Sequence, residues 1–280
     1  MKLHEIDAGQ FKLDGGAMFG VVPKSFWNKW NKADDNNLCT WKMRCLVIEN
    51  GNQLILVDTG MGNKQDLKWQ SYFEPHGEGN LLNSIEKKGF TQFDITDVIL
   101  SHLHFDHCGG AVSIIDGNLK PSFPNARYWT HSSHYQWAMH PNIREKATFL
   151  KENIHPLIEH KQLFFIDDKV DSLFENMEIL MGDGHTEKML MPLITLNEKK
   201  MLFIADTIPS SSHVHIPYVM GYDIRPLQTM IEKKLLLEKA VMNNWIIYYD
   251  HDPNFACSQI ELTEKGYRAC NLGNLENFNL

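Results

Sequence analysis

Three histidines and an aspartate crowd the segment Ser101-His102-Leu103-His104-Phe105-Asp106-His107, directly after the apolar run Val98-Ile99-Leu100. No other feature limits the fold as strongly. Gathering several polar rings at the end of a buried strand costs free energy unless something binds them. Neutral imidazole nitrogens and carboxylate oxygens are the donors that zinc and similar divalent ions prefer. One buried histidine needs no special explanation, but His-x-His-x-Asp-His reads as a metal site.

The rest of the chain narrows the setting. Its 280 residues are 43% apolar, enough for a substantial core. A formal net charge of −8, with no basic run, argues against nucleic-acid and anionic-membrane partners. No stretch reaches the roughly 18 apolar residues that span a bilayer. The start, Met1-Lys2-Leu3-His4-Glu5-Ile6-Asp7, has no apolar leader pattern, so the expected location is the cytoplasm. The five cysteines (Cys39, Cys45, Cys108, Cys257, Cys270) are odd in number and lack CxxC spacing, which suits reduced thiols. Cys108, beside the histidines, reads as a small buried residue.

Short strands and helices alternate without a linker or repeat. Cys45–Glu49 and Gln53–Val57 flank Asn50-Gly51-Asn52 as a hairpin. Helical spacing runs from Asn80 to Lys88 before Gly89, and again from Leu227 to Met242 with Pro226 at the first turn. Residues 132–161 read as largely helical. Further strands are expected at Ile95–Leu100, Arg127–Thr130, Leu163–Ile166, Met177–Leu180, Leu190–Ile194, Met201–Ala205 and Trp245–Tyr249. Polar residues follow the apolar runs at Asp58, at 102–107, at Gly182-Asp183-Gly184-His185-Thr186, at Asp206 and at His251. A lone aspartate there is most simply a strand cap, but five such ends in one chain point to a shared site. The pattern suits an α/β fold of two packed sheets with outer helices, as one domain over residues 1–280.

These motifs resemble the metallo-β-lactamase superfamily. Its His-x-His-x-Asp-His signature matches His102, His104, Asp106 and His107, and the likeness continues through Leu56-Val57-Asp58-Thr59-Gly60, Gly184-His185-Thr186, Ala205-Asp206 and His251-Asp252-Pro253. Asp14 to Lys24 resembles the N-terminal segment of the N-acyl-homoserine lactonase branch. The resemblance implies a four-layer αβ/βα sandwich, two mixed β-sheets flanked by helices, and two divalent metal ions, zinc before iron or manganese. His102, His104 and His185 would hold one ion; Asp106, His107 and His251 the other; and Asp206 would bridge them. Asp58 would orient a ligating imidazole from behind. Lys188 departs from the family pattern near the third-ligand histidine.

The implied activity is hydrolysis of a small molecule, with a hydroxide shared by the two ions opening a lactone or ester, most directly an N-acyl-homoserine lactone. Asp106 and Asp206 are the catalytic carboxylates, Asp206 passing a proton to the leaving alkoxide. His213 is a candidate oxyanion donor, with a structural hydrogen bond as the plainer alternative. Met18, Phe19, His215 and Tyr222 are candidate pocket residues, against the plainer reading of Met18 and Phe19 as core. The alternatives are a phosphotriester, thioester or β-lactam hydrolase on the same ligands, or a metal-stabilised sensor without turnover. The aromatic middle offers a surface for a homodimer.

Overall fold

Strand pairing in this computed structural model, which describes residues 1–170, 172–278 and 280, follows the apolar runs. In chain order the strands are β1 (Lys2–Asp14), β2 (Leu38–Asn50), β3 (Gln53–Val57), β4 (Asp97–Ile99), β5 (Val112–Ile115), β6 (Asn118–Pro121), β7 (Arg127–His131) and β8 (Leu163–Ile166). They continue with β9 (Ser172–Phe174), β10 (Met177–Gly182), β11 (Met189–Leu196), β12 (Lys199–Phe203), β13 (Ile246–Tyr248), β14 (Cys257–Thr263) and β15 (Gly266–Gly273). One mixed sheet has the order β1-β2-β3-β4-β7-β8 and the other β15-β14-β13-β12-β11-β10-β9. The chain divides into two compact units, Met1–Gln10 with Met43–Val170, and Phe11–Lys42 with the described residues from 172 onward.

In the first unit β3, β4, β7 and β8 run parallel. Such strands are buried on both faces, which is why Val98, Ile99 and Leu100 form an unbroken apolar run. Val98, Leu100 and Tyr128 pack with Ile85 and Leu157 of covering helices. The helix Leu81–Lys87 is capped by Asn80, whose side chain accepts from the Asn83 amide at 3.1 Å. The expected hairpin pairs Asn50 with Gln53 and Leu46 with Val57. The expected helical middle is broken: helices cover Ser132–Met139 and His155–Glu159, with turns between them.

In the second unit β12 and β13 pair in parallel, and the helix Pro226–Met242 makes the crossover between them. Its buried face is Thr229, Lys233, Leu236, Leu237 and Ala240, spaced by three and four residues. Lys233 is fully buried there, and its Nζ donates to the carbonyls of His213, His215 and Tyr218 at 2.6, 2.8 and 2.7 Å. Three acceptors match the three N–H bonds of an ammonium. Burial still pulls its pKa down to about 7 against the pull of Asp223.

Candidate metal centre

The first unit presents its ligand-competent side chains from one turn. β4 ends after Ile99, and a four-residue helical turn, Phe105–Cys108, carries Asp106 and His107 onward from His102 and His104. All four are buried. Asp58 closes β3 in a left-handed conformation, φ +58°, rare for a residue with a Cβ. That bend sets its carboxylate against the histidine run. Oδ1 accepts from the Ser101 amide at 2.7 Å, and Oδ2 accepts from the Ser101 hydroxyl at 2.7 Å and from His107 Nδ1 at 2.9 Å. Asp58 thus sits behind His107. The Ser101 hydroxyl hydrogen is spent on Asp58, so His102 Nδ1–H donates to Ser101 Oγ at 3.1 Å. Cys108 is fully buried, with its Sγ donating to the Leu103 carbonyl at 3.3 Å, and burial pushes its thiol up to about 12. It is a packing residue.

The second unit gathers its donors from three separated segments. His185 follows β10, Asp206 lies in the helical turn Ala205–Thr207 after β12, and His251 follows β13. Ala205 is itself left-handed at φ +45°, which turns Asp206 inward at the strand end. Asp206 Oδ2 lies 3.0 Å from His185 Nε2, and its Oδ1 lies 3.2 Å from His251 Nε2. The other ring nitrogens are tied back: His185 Nδ1 donates to Asp223 at 2.9 Å, and His251 Nδ1 to the Lys42 carbonyl at 2.7 Å. Burial works against charge on His185, but Asp206 and Asp223 outweigh it and push the ring up to about 10. A pocket that attracts a proton so strongly is one a metal cation also suits.

These observations fit a metal. Two donors on one tetrahedral zinc at about 2.0–2.2 Å lie roughly 3.3–3.6 Å apart. The Asp206 separations approach that value, one oxygen toward each imidazole. Two groups of buried side chains among the described residues have donors and spacing for an ion, and Asp206 belongs to both. His185 is its companion in one, and His251 with Asp250 in the other. A carboxylate shared between two groups is the pattern of a dinuclear site. Sequence reasoning missed Asp250, Asp223 and Glu145: Asp250 directly follows the apolar run Trp245–Tyr249, as Asp58 and Asp206 follow theirs, whereas Asp223 and Glu145 lie in irregular segments that carry no periodic signal.

His213 is a correction. Its Nε2 donates to the Met18 carbonyl at 2.9 Å and its Nδ1 accepts from Ser210 Oγ at 2.7 Å, with the ring fully buried. Both nitrogens are engaged, so it serves as the structural hydrogen bond and not as an oxyanion donor. Burial pulls its pKa down to about 3, although the Met18 carbonyl favours the charged ring. Met18 and Phe19 are corrected with it. Phe19 stacks at 4.3 Å on His213 and at 5.3 Å on Trp27, and both residues lie in the core of the second unit. His215 is half-buried against Tyr218, and Tyr222 is at the surface. Lys188 closes a turn, its amide donating to Asp183 at 3.0 Å. In the first unit an aromatic group sits beside the histidines: Phe105 packs on Trp69 at 5.0 Å and on Phe73 at 4.4 Å.

The fold and the paired donor groups define a dinuclear, metal-dependent hydrolase acting on a small molecule. The model of the metallo-β-lactamase superfamily matches residues 44–251, and the chain belongs to that superfamily. An N-acyl homoserine lactonase of Bacillus thuringiensis is 25% identical over 265 residues, covering 90% of this chain and 93% of the lactonase. Among solved structures, a probable metal-dependent hydrolase from Staphylococcus aureus superposes with TM-score 0.88 at 24% identity, over 97% of this chain and 96% of that one. A dizinc quorum-quenching lactonase bound to its product superposes with TM-score 0.80 at 22% identity, over 96% and 93%. These likenesses show the α/β sandwich of mixed sheets and flanking helices.

Proposed function

We propose that this hydrolase opens a lactone ring, with N-acyl-homoserine lactones as its first substrate class. The likeness to the Bacillus thuringiensis lactonase over nine-tenths of this chain carries the reading. On this reading His102, His104 and His185 would hold one ion, Asp106, His107 and His251 the other, and Asp206 would serve both. Asp250, a buried carboxylate preceding His251, adds an oxygen donor for the second ion. Zinc suits a donor set this rich in imidazole.

When bound, two divalent ions supply a water acidified toward neutrality and a Lewis acid for the scissile carbonyl. The chain's own groups do the remainder. Asp58 and Asp223 hold His107 and His185 with the proton on Nδ1, so that each presents an Nε2 lone pair. Asp206 takes the proton of the attacking water on a carboxylate oxygen and returns it to the leaving alkoxide. Trp69, Phe73 and Phe105 supply an apolar wall for an acyl chain, the part first assigned to Met18 and Phe19. The reading keeps the enzyme in the cytoplasm and leaves a homodimer to be tested by light scattering.

A panel of acyl-homoserine lactones, aryl esters, a phosphotriester, a thioester and a chromogenic cephalosporin tests the substrate class. Lactones should show the highest kcat/KM. Inert lactones beside a rapidly cleaved second bond would end the lactonase reading.

A further inference from the structure

Side chains hold the backbone of the histidine run where the sheet ends. The Leu100 amide still donates to the Trp129 carbonyl of β7 at 2.9 Å. Beyond it the acceptors change: the Ser101 amide donates to Asp58 Oδ1 at 2.7 Å and the Leu103 amide to His134 Nε2 at 2.8 Å. His134 belongs to the helix Ser132–Met139 and is fully buried, on the inward face that it shares with Ala138 four residues on. Its ring lies 6.4 Å from that of His102 and 5.9 Å from that of Phe149. On the other side of Leu103, the carbonyl accepts from Cys108 Sγ at 3.3 Å. Both peptide planes that flank Leu103 are therefore held by side chains from outside the run at 102–107.

We propose that His134 is a positioning residue of the metal centre: by accepting the Leu103 amide it fixes the backbone between His102 and His104, and with it the angle between their rings. The Leu103 N–H lies in the peptide plane that joins residues 102 and 103, and its C=O in the plane that joins 103 and 104. The two backbone dihedrals of Leu103 rotate one plane against the other, so they set how the two imidazoles are disposed. Those rings meet edge to face, 4.5 Å apart at 80°. A buried amide deprived of its acceptor turns to find another, and that turn moves His102 against His104. A thiol is a weak donor, so Cys108 grips the second plane loosely and His134 carries the constraint. A neutral imidazole suits this task, because its Nε2 lone pair lies in the plane of a rigid ring while the proton stays on Nδ1. The inference rests on the proposed ligand roles of His102 and His104.

The experiment uses zinc-loaded protein and three readouts besides activity. In the wild type, a nitrogen–nitrogen coupling across the hydrogen bond should join the Leu103 amide to His134 Nε2. H134F keeps a buried ring and removes the acceptor. Chelator competition should show it weakening one of the two zinc equivalents by about 10- to 100-fold, with the other held within about threefold. Exchange of the Leu103 amide should quicken by roughly tenfold or more in H134F, while that of Val98 in β4 is unchanged. H134Q, whose Oε1 can accept the same amide, should return the weakened equivalent to within about threefold of the wild type. A role in packing alone gives no such rescue, since Phe fills the space better than Gln. If H134F fails to fold, H134Q against H134N makes the same comparison, because the shorter Asn does not reach the amide. A wild type without the coupling, unchanged affinity for both equivalents in H134F, or H134Q that binds zinc no better than H134F or H134N overturns the inference. H102A that still holds two tight equivalents, with the coupling intact, overturns the ligand assignment itself, and the inference with it.

Discussion

The two units build their donors in opposite ways. The first places His102, His104, Asp106 and His107 within six consecutive residues and orients them with carboxylates from far along the chain, Asp58 and Glu145. The second brings His185, Asp206 and His251 from three strand ends and orients two of them with Asp223 and the Lys42 carbonyl. A contiguous run fixes donor order by covalent geometry and needs outside groups only to set ring angle and tautomer. A dispersed set depends on the sheet for its very proximity. Loss of an orienting group should therefore loosen rings in the first unit, while loss of packing should scatter donors in the second.

Removal of a ligand from either side is the largest effect. H107A and H185A should each lower kcat/KM by roughly a thousandfold or more and release one metal equivalent, as measured by elemental analysis. A variant with full activity would break the symmetry assumed between the halves. D58N comes next. It should weaken metal binding by about 10- to 100-fold, and also destabilise the protein by about 1–3 kcal/mol, since Asp58 accepts from the Ser101 amide and hydroxyl as well as from His107. D223N should weaken binding similarly with a smaller change in stability. Equal destabilisation by both in urea titrations would erase the difference between a gripped run and a dispersed set.

K233M probes the packing side. It removes three buried hydrogen bonds on carbonyls of residues 213–218 and should lower stability by about 3 kcal/mol. A loss under 1 kcal/mol would show that this loop is held by its aromatic contacts alone. The smallest effect concerns acid. The pKa of His213 is lowered in the folded chain, from an ordinary 6.5 to about 3. The unfolded chain takes up a proton below pH 6.5 that the folded chain refuses, so this contribution is full above pH 6.5 and fades as the pH falls toward 3. In chelator-treated protein, H213Q should show a flatter decline in stability between pH 6.5 and 4.5 than the wild type. Parallel curves would remove His213 from the acid response.

Much was legible where chemistry is written locally. The run at 102–107 needed no neighbour to be recognised, and Asn50-Gly51-Asn52 placed a hairpin that the structure shows, with Asn50 opposite Gln53. The helix at 226–242 followed from its spacing and from Pro226. Other elements escaped. β1, β14 and β15 carry mixed polar and apolar residues and pair only because a partner strand lies beside them. The hairpin of β5 and β6 did carry a signal, Asp116-Gly117, and both residues have positive φ, +52° and +77°. His213 misled because its place after Asp206 in sequence says nothing about which way its ring points.

The sequence alone determined the kind of donors this protein offers and the strand ends that carry them, because residue type and apolar run length are local properties. Tertiary structure alone decided which nitrogen each imidazole presents and which histidine is only a packing group. That choice depends on acceptors such as Asp58, Asp223 and Glu145, which approach from distant positions along the chain, and on a buried environment that makes every unmatched polar atom costly.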